Sequence, residues 1–282
     1  MSASTGLLYA LLDPARDPAM APNLRSLAPE AMCLMDVPRS GELRAALPHL
    51  VSLRDDGGLL PWWRAHGAGK AWGIAMRTHA DITVLRRHLK KFMFAYLPDD
   101  TRVLFRFWDP RVLSAYMPLC DSEAREAFMG PMTALYLEDW KTGKSMTLRP
   151  VPGVERVMAR PSRFFRPNAG QVDRLTCTSF LHATYERLIS VEGATPFQEA
   201  LRSHRSDLLS FWEGLWPQVA LLAPETAAPA LAYAAALRLR NGDVAAGLAA
   251  ALSGEAPSYT MKAELTAWGY LPFSAFYTLA WA

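Results

Sequence analysis

The chain has 282 residues, which is enough for one large domain or two ordinary ones with a buried core. Apolar residues make up 51%, charged residues 20%, and the formal net charge is +3. This composition is typical of soluble globular proteins and excludes a disordered chain. Because the positive charge is small and not concentrated in a stripe, we expect no nucleic-acid partner.

The first residues indicate where the protein works. The segment MSASTGLLYALLDPARD has no basic region before its short apolar stretch, which ends at Asp13, so it is a poor signal peptide. No apolar run approaches the length of a membrane span. Cys33, Cys120 and Cys177 are odd in number and far apart, which suits a reducing compartment. We therefore expect a cytoplasmic protein without a membrane span.

In the first part of the chain, short apolar runs typical of strands alternate with segments of helical period. Strands are predicted over residues 6–12, 31–37, 50–53, 71–76 and 102–108. Helices are predicted over residues 18–27, 42–47, 59–66, 81–91 and 122–128. Thr78, with Asp81 three residues later, resembles a capping box, and residues 132–151 resemble a hairpin. This alternation predicts an α/β fold, with a mixed, largely parallel sheet and flanking helices.

The pattern changes after residues 150–167, a segment rich in proline and arginine with no clear period. Helical periods follow in residues 171–189, after Thr195, and in residues 227–240 and 243–252. The chain ends in the aromatic tail YLPFSAFYTLAWA. We therefore predict two domains, an α/β domain in residues 1–160 and an all-helical C-terminal domain in residues 168–282.

The familiar patterns of catalytic and cofactor sites are not met. Residues 66–73 combine glycines with a lysine, but Trp72 stands where a dinucleotide fingerprint needs glycine. A P-loop fails at Arg64 and Ala71. The six histidines form no HExxH pattern, and the chain has no GxSxG elbow. We predict no catalytic residue, no cofactor and no metal.

The segment LFRFWDPRVL, residues 104–113, is the strongest constellation in the sequence. Proline after Asp109 favours an extended backbone there, and the carboxylate can then accept hydrogen bonds at a helix start with Pro110 in the first position. Arg106 and Arg111 bracket the carboxylate and are expected to bond to it. The segment is either a structural corner or a surface that grips a partner through its arginines or Trp108. The candidate residues are Arg106, Phe107, Trp108, Asp109, Pro110 and Arg111.

This segment resembles the signature L-F-R-F-Y-D-P-R-V-L of the type VI secretion adaptors called Tap or TEC chaperones, with Trp108 in the tyrosine place. The resemblance extends over about residues 7–131. Residues 8–13 resemble the family's opening "Y-a-l-l-D", and residues 48–51 resemble "G-P-y-L-v" although Leu47 replaces the glycine. Residues 128–131 match "f-G-P". The resemblance implies a cytoplasmic, non-catalytic adaptor that binds a toxic effector and promotes its loading onto the spike protein VgrG.

Two other function classes stay open. One is an α/β enzyme with a site at the strand end around Arg106 and Asp109. Arginines free of Asp109 in a deep polar pocket would favour that enzyme, whereas arginines locked onto Asp109 would count against it. The other is a nucleic-acid binder that uses the basic helix of residues 81–91, although an ordinary solvated face explains that helix as well.

Overall fold

A computed structural model describes residues 6–36, 42–53, 58–151, 165–190, 196–222 and 224–239. The strands in these ranges are β1 Leu7–Leu12, β2 Met32–Cys33, β3 His49–Ser52, β4 Gly73–Thr78, β5 Phe94–Tyr96, β6 Arg102–Leu104, β7 Met132–Glu138 and β8 Ser145–Leu148. The α-helices are α1 Met20–Leu27, α2 Glu42–Ala46, α3 Leu59–His66, α4 Ile82–Leu89, α5 Pro110–Tyr116, α6 Ser122–Met129, α7 Ala169–Ser190, α8 Pro196–Ser203, α9 Arg205–Val219 and α10 Pro224–Leu239. Short 3-10 helices are Pro14–Arg16, Lys90–Phe92 and Met117–Leu119.

The main sheet has six strands in the order β2-β3-β1-β4-β7-β8, and each neighbouring pair is antiparallel. The predicted α/β class with a largely parallel sheet is therefore wrong. A second sheet consists of β5 and β6, also antiparallel. The parallel pairing in the described ranges is an isolated bridge between Ala95 and Phe165.

The error has a physical reason in the connections between strands. Leu12 at the end of β1 faces His49 at the start of β3, and Thr78 at the end of β4 faces Met132 at the start of β7. The chain between β1 and β3, which also contains β2, and the chain between β4 and β7 both carry helices. Each returns to a neighbouring strand at the end of the sheet that it left. Alternation of strands and helices in sequence does not distinguish such a return from the crossover that a parallel sheet needs.

Both faces of the six-stranded sheet carry buried side chains, because the side chains alternate along each strand and other elements pack on each face. Leu11, Ile74 and Leu135 point to one face and belong to a large core that includes residues of α4, α5 and α6. Ala10 and Val51 point to the other face and pack with residues of α1 and α3. The helices α1 and α3 therefore cover this second face at β1 and β3.

Local structure departs from prediction at two turns. The predicted strand of residues 102–108 ends at Leu104, although Phe105 and Phe107 beyond it are buried in the core. Asp81, not Thr78, caps α4, because its carboxylate accepts the backbone N–H groups of Thr83 and Val84. The Thr78 hydroxyl instead donates to the carbonyl of Pro131, 2.7 Å away.

The chain forms two compact units, residues 1–175 and 176–282. In the second unit the helices predicted over residues 171–189 and 227–240 correspond to α7 and α10. Leu208 and Trp212 of α9 are buried there. Residues 152–164 of the predicted boundary segment, which runs over residues 150–167, lie outside the described residues, and so do residues 240–282 with the aromatic tail. The division into residues 1–160 and 168–282 stays a prediction.

Position 130 at the end of α6 requires glycine, both because of its backbone conformation and because the His88 ring lies against it. Its φ is +46°, and a Cβ built on it would lie 2.2 Å from Cε1 of His88. The His88 ring is held in place, since its Nε2 lies 2.8 Å from the carbonyl oxygen of Phe128. Burial lowers the pKa of His88, which keeps the ring neutral at physiological pH.

We expect Gly130→Ala to lower the free energy of unfolding by about 3 kcal/mol, because it combines a left-handed backbone with a steric clash. Gly69→Ala is the matched control, since Gly69 has φ +75° but no atom within 4 Å of its built Cβ. That control should lose only about 1 kcal/mol. Urea unfolding of both variants measures the difference, and equal losses would show that the His88 contact contributes nothing.

Candidate functional site

The signature segment connects β6 to α5, and Asp109 stands at the helix start. The Asp109 backbone is extended, with φ −80° and ψ 114°, and Oδ1 accepts the backbone N–H of Arg111 at 3.0 Å. Pro110 is the first residue of the helix, where a missing N–H is tolerated. The predicted cap and the position of Pro110 are confirmed.

Asp109 is 3% exposed, and each oxygen of its carboxylate accepts a hydrogen bond from the Arg111 side chain. Nε of Arg111 donates to Oδ1 at 2.8 Å, and Nη2 donates to Oδ2 at 2.5 Å. Burial alone would raise the pKa of Asp109, but the hydrogen bonds and charge of Arg111 outweigh it and lower the pKa. Asp109 is therefore a buried carboxylate that stays ionised at neutral pH.

Arg106 has a different partner from the one its sequence neighbourhood predicts. Its Nη2 donates to Oδ2 of Asp13 at 2.6 Å, across 93 positions of sequence. The same oxygen accepts the indole N–H of Trp108 at 3.1 Å. Asp13 is 3% exposed and lies directly after β1, where Oδ1 accepts the backbone N–H of Ala15 at 3.2 Å. The predicted bond from Arg106 to Asp109 is thus replaced by a bond to Asp13.

Asp13 is the site residue that the sequence did not reveal. A signal for it exists, because Asp13-Pro14 repeats the Asp109-Pro110 pattern at the end of another apolar run. Both aspartates cap a helix that has proline in its first turn. Read together, the two Asp-Pro pairs identify two equivalent corners, which the structure brings side by side through Arg106 and Trp108.

Arg16 adds a third guanidinium group next to this pair of corners. Partial burial and the positive charges of Arg111 and Arg106 lower the pKa of Arg16, while Asp109 and Asp13 oppose that shift. Within the described residues, Arg16 has no ion-pair or hydrogen-bond partner for its guanidinium group. Three arginines and two buried carboxylates therefore leave one net positive charge on this surface.

The aromatic members of the signature are interior side chains. Phe107 is fully buried and contacts Phe128 edge to face, with ring centres 5.7 Å apart. Trp108 is 2% exposed and packs against Phe107. A tyrosine in the place of Trp108, as in the signature it resembles, would also offer a donor to Asp13. Among the six candidate residues of the segment, Arg106 and Arg111 are the accessible ones.

A groove with a volume of about 590 Å³ lies beside this corner, between α3 and the open part of the sheet. Leu60 and Trp63 of α3 form one wall, and Ala75 and Tyr136 form the floor. Pro110 also lines the groove, so it extends to the start of α5. The groove thus reaches the residue next to Arg111 within the first unit.

Two further properties of the described residues concern metal ions and membranes. No group of three histidine, cysteine, aspartate or glutamate side chains in those ranges is placed to hold a metal ion. No helix described here combines the length and the apolar character needed to cross a bilayer.

Comparison with known proteins assigns a family match to the first unit. Residues 8–127 match the model of a family described as Domain of unknown function (DUF4123). The match begins in β1, ends in α6 and includes both Asp-Pro corners. No curated protein and no solved structure matches the chain significantly.

We expect Asp13→Ala to lower the free energy of unfolding by about 2–4 kcal/mol, because it removes a helix cap and leaves the Trp108 indole N–H buried without an acceptor. Trp108→Phe keeps a buried aromatic ring but removes that donor and part of the ring volume, so its loss should be about 1–2 kcal/mol. Chemical unfolding measures both variants. Equal losses would mean that the Arg106 ion pair and the cap add no stability.

The lowered pKa of Asp109 makes its contribution to stability depend on pH. Since the folded-state pKa lies below the unfolded value of about 3.9, the contribution is complete above that value and is lost as the pH falls through the folded pKa. The stability difference between the wild-type protein and Asp109→Asn should therefore shrink as the pH falls below about 4. Urea unfolding at several pH values tests this, with Glu123→Gln on the exposed start of α6 as the control. A difference independent of pH would contradict it.

Proposed function

We propose that this protein is a cytoplasmic adaptor that binds a toxic effector of type VI secretion and promotes its loading onto the VgrG spike. The observation that carries the proposal is the match of residues 8–127 to DUF4123, a domain family known for type VI effector adaptors. The matched region contains LFRFWDPRVL, the segment whose resemblance to these adaptors is most specific.

The arrangement of the signature residues supports a binding protein better than the alternative enzyme. An enzyme at this strand end would need Arg106 and Asp109 available to a substrate. Asp109 instead accepts a two-point bond from Arg111, and Arg106 is bonded to Asp13. Both carboxylates are buried beneath the surface and hold the corner in place. We therefore keep a non-catalytic role in the proposal.

The groove beside the corner supports the choice of a protein as the partner. Interface anchors in proteins are often aromatic, and Trp63 and Tyr136 line this groove together with Leu8 and Leu60. We assign the groove to the effector. The basic face of α4 gives little support to a nucleic-acid partner, because Arg86 and Lys90 both pair with Asp36.

We expect the protein to co-purify with the toxin encoded beside its gene when the two are co-expressed, and to raise the yield of the toxin–VgrG complex. Leu60→Gln, in the groove, should weaken co-purification about tenfold, since buried interface anchors contribute over 1 kcal/mol each. Ala65→Gln, on the exposed side of the same helix, should leave it unchanged. Failure of the wild-type protein to retain either the toxin or VgrG would overturn the proposed function.

A further inference from the structure

The two Asp-Pro corners place three arginines at one surface. Arg16 ends the 3-10 helix that Asp13 caps, and Arg111 lies in the first turn of the helix that Asp109 caps. Arg106 reaches Asp13 from the segment between β6 and α5. The two caps and the bond from Arg106 to Asp13 thereby position the three side chains.

The carboxylates beneath this surface are not accessible, whereas the arginines are. Asp13 and Asp109 are each 3% exposed, but the side chain of Arg106 is 43% exposed and that of Arg111 is 17% exposed. Arg16 is exposed as well. An approaching molecule therefore meets guanidinium groups and does not meet the carboxylates that balance two of them.

Arg16 is the member that the described residues leave without a carboxylate. The charges of Arg111 and Arg106 repel the charge of Arg16. Burial is the largest cause that lowers the pKa of Arg16, and these two charges lower it further, while Asp109 and Asp13 oppose the shift. A negatively charged ligand would remove this repulsion and would pair with Arg16 directly. Arg106 contributes as well, because its bond to Asp13 uses one N–H of a group that has five.

Guanidinium groups match the planar geometry of carboxylates and can bind both oxygens of one. We propose that Arg16, Arg106 and Arg111 form a binding site for an acidic segment of the effector, a stretch of aspartate or glutamate side chains whose neighbouring apolar residues lie in the groove. The charge of the surface selects the acidic segment, and Pro110, which lines the groove next to Arg111, makes the two parts continuous. This inference rests on the proposed function and names the chemistry of recognition.

The test uses the full-length chain and two variants, Arg16→Gln and Arg25→Gln. Arg25 is a matched control, because it is also exposed, lies on α1 and is not among the charges that act on Arg16. The first probe is a blocked hexaglutamate peptide, with binding followed by NMR shifts at low salt. Arg16→Gln should weaken binding of this peptide about three- to tenfold, and added salt should weaken it in the wild-type protein. Arg25→Gln should bind as the wild-type protein does.

The second probe is the co-expressed effector, which separates this inference from the proposed function. Loss of effector in Arg16→Gln but not in Arg25→Gln supports the arginine site. Equal effector binding by both variants, with the wild-type protein still binding, overturns the arginine site and leaves the adaptor function standing. Absence of effector from the wild-type protein overturns the adaptor function itself. Tighter binding of an oligonucleotide than of hexaglutamate at these arginines would overturn the assignment to an acidic protein segment.

Discussion

The buried carboxylate of Asp13 is the constraint on which the two Asp-Pro corners and their arginines depend. An ionised carboxylate out of contact with water is tolerated only when charge and hydrogen bonds compensate it. Asp13 obtains that compensation from Arg106, Trp108 and the backbone of Ala15. Because β1 and the signature segment are 93 positions apart, satisfying this one group joins the first strand of the sheet to the start of α5. The corner keeps its geometry for that reason.

The corner at Asp109 repeats the Asp-Pro helix cap of Asp13, but a different arginine supplies the positive charge. Asp109 is compensated by Arg111, two residues further along the chain, so this corner is complete within a few residues. Asp13 instead depends on a distant arginine. In both corners the aspartate is buried and the arginine that pairs with it is more exposed to solvent. A motif that stabilises the fold therefore produces a positive surface as a consequence, and structural and binding interpretations of LFRFWDPRVL are compatible.

The features that sequence predicts well here are those determined within one or two turns of chain. The bounds of α3, Leu59–His66, agree with prediction, and the cap at Asp109 follows from its own neighbours. The sheet direction and the partner of Arg106 depend on which distant segments meet, and local spacing does not contain that information. The prediction for Thr78 was wrong for a related reason. Its hydroxyl donates to the distant carbonyl of Pro131 and accepts the backbone N–H of Ala80, and Asp81 caps α4.

Antiparallel pairing also explains why the arginines and the groove lie together. Leu12 at the end of β1 faces Gly73 at the start of β4, so the chain leaving β1 passes close to the chain entering β4. The approach is tight, because a Cβ on Gly73 would lie 2.1 Å from the carbonyl oxygen of Leu11. The backbone N–H of Asp13 donates to the carbonyl of Trp72 at 2.8 Å, which fixes Trp72 against the corner. Trp72 and Gly73 then line the groove, so one end of the groove lies at the strand ends beside the Asp13 corner.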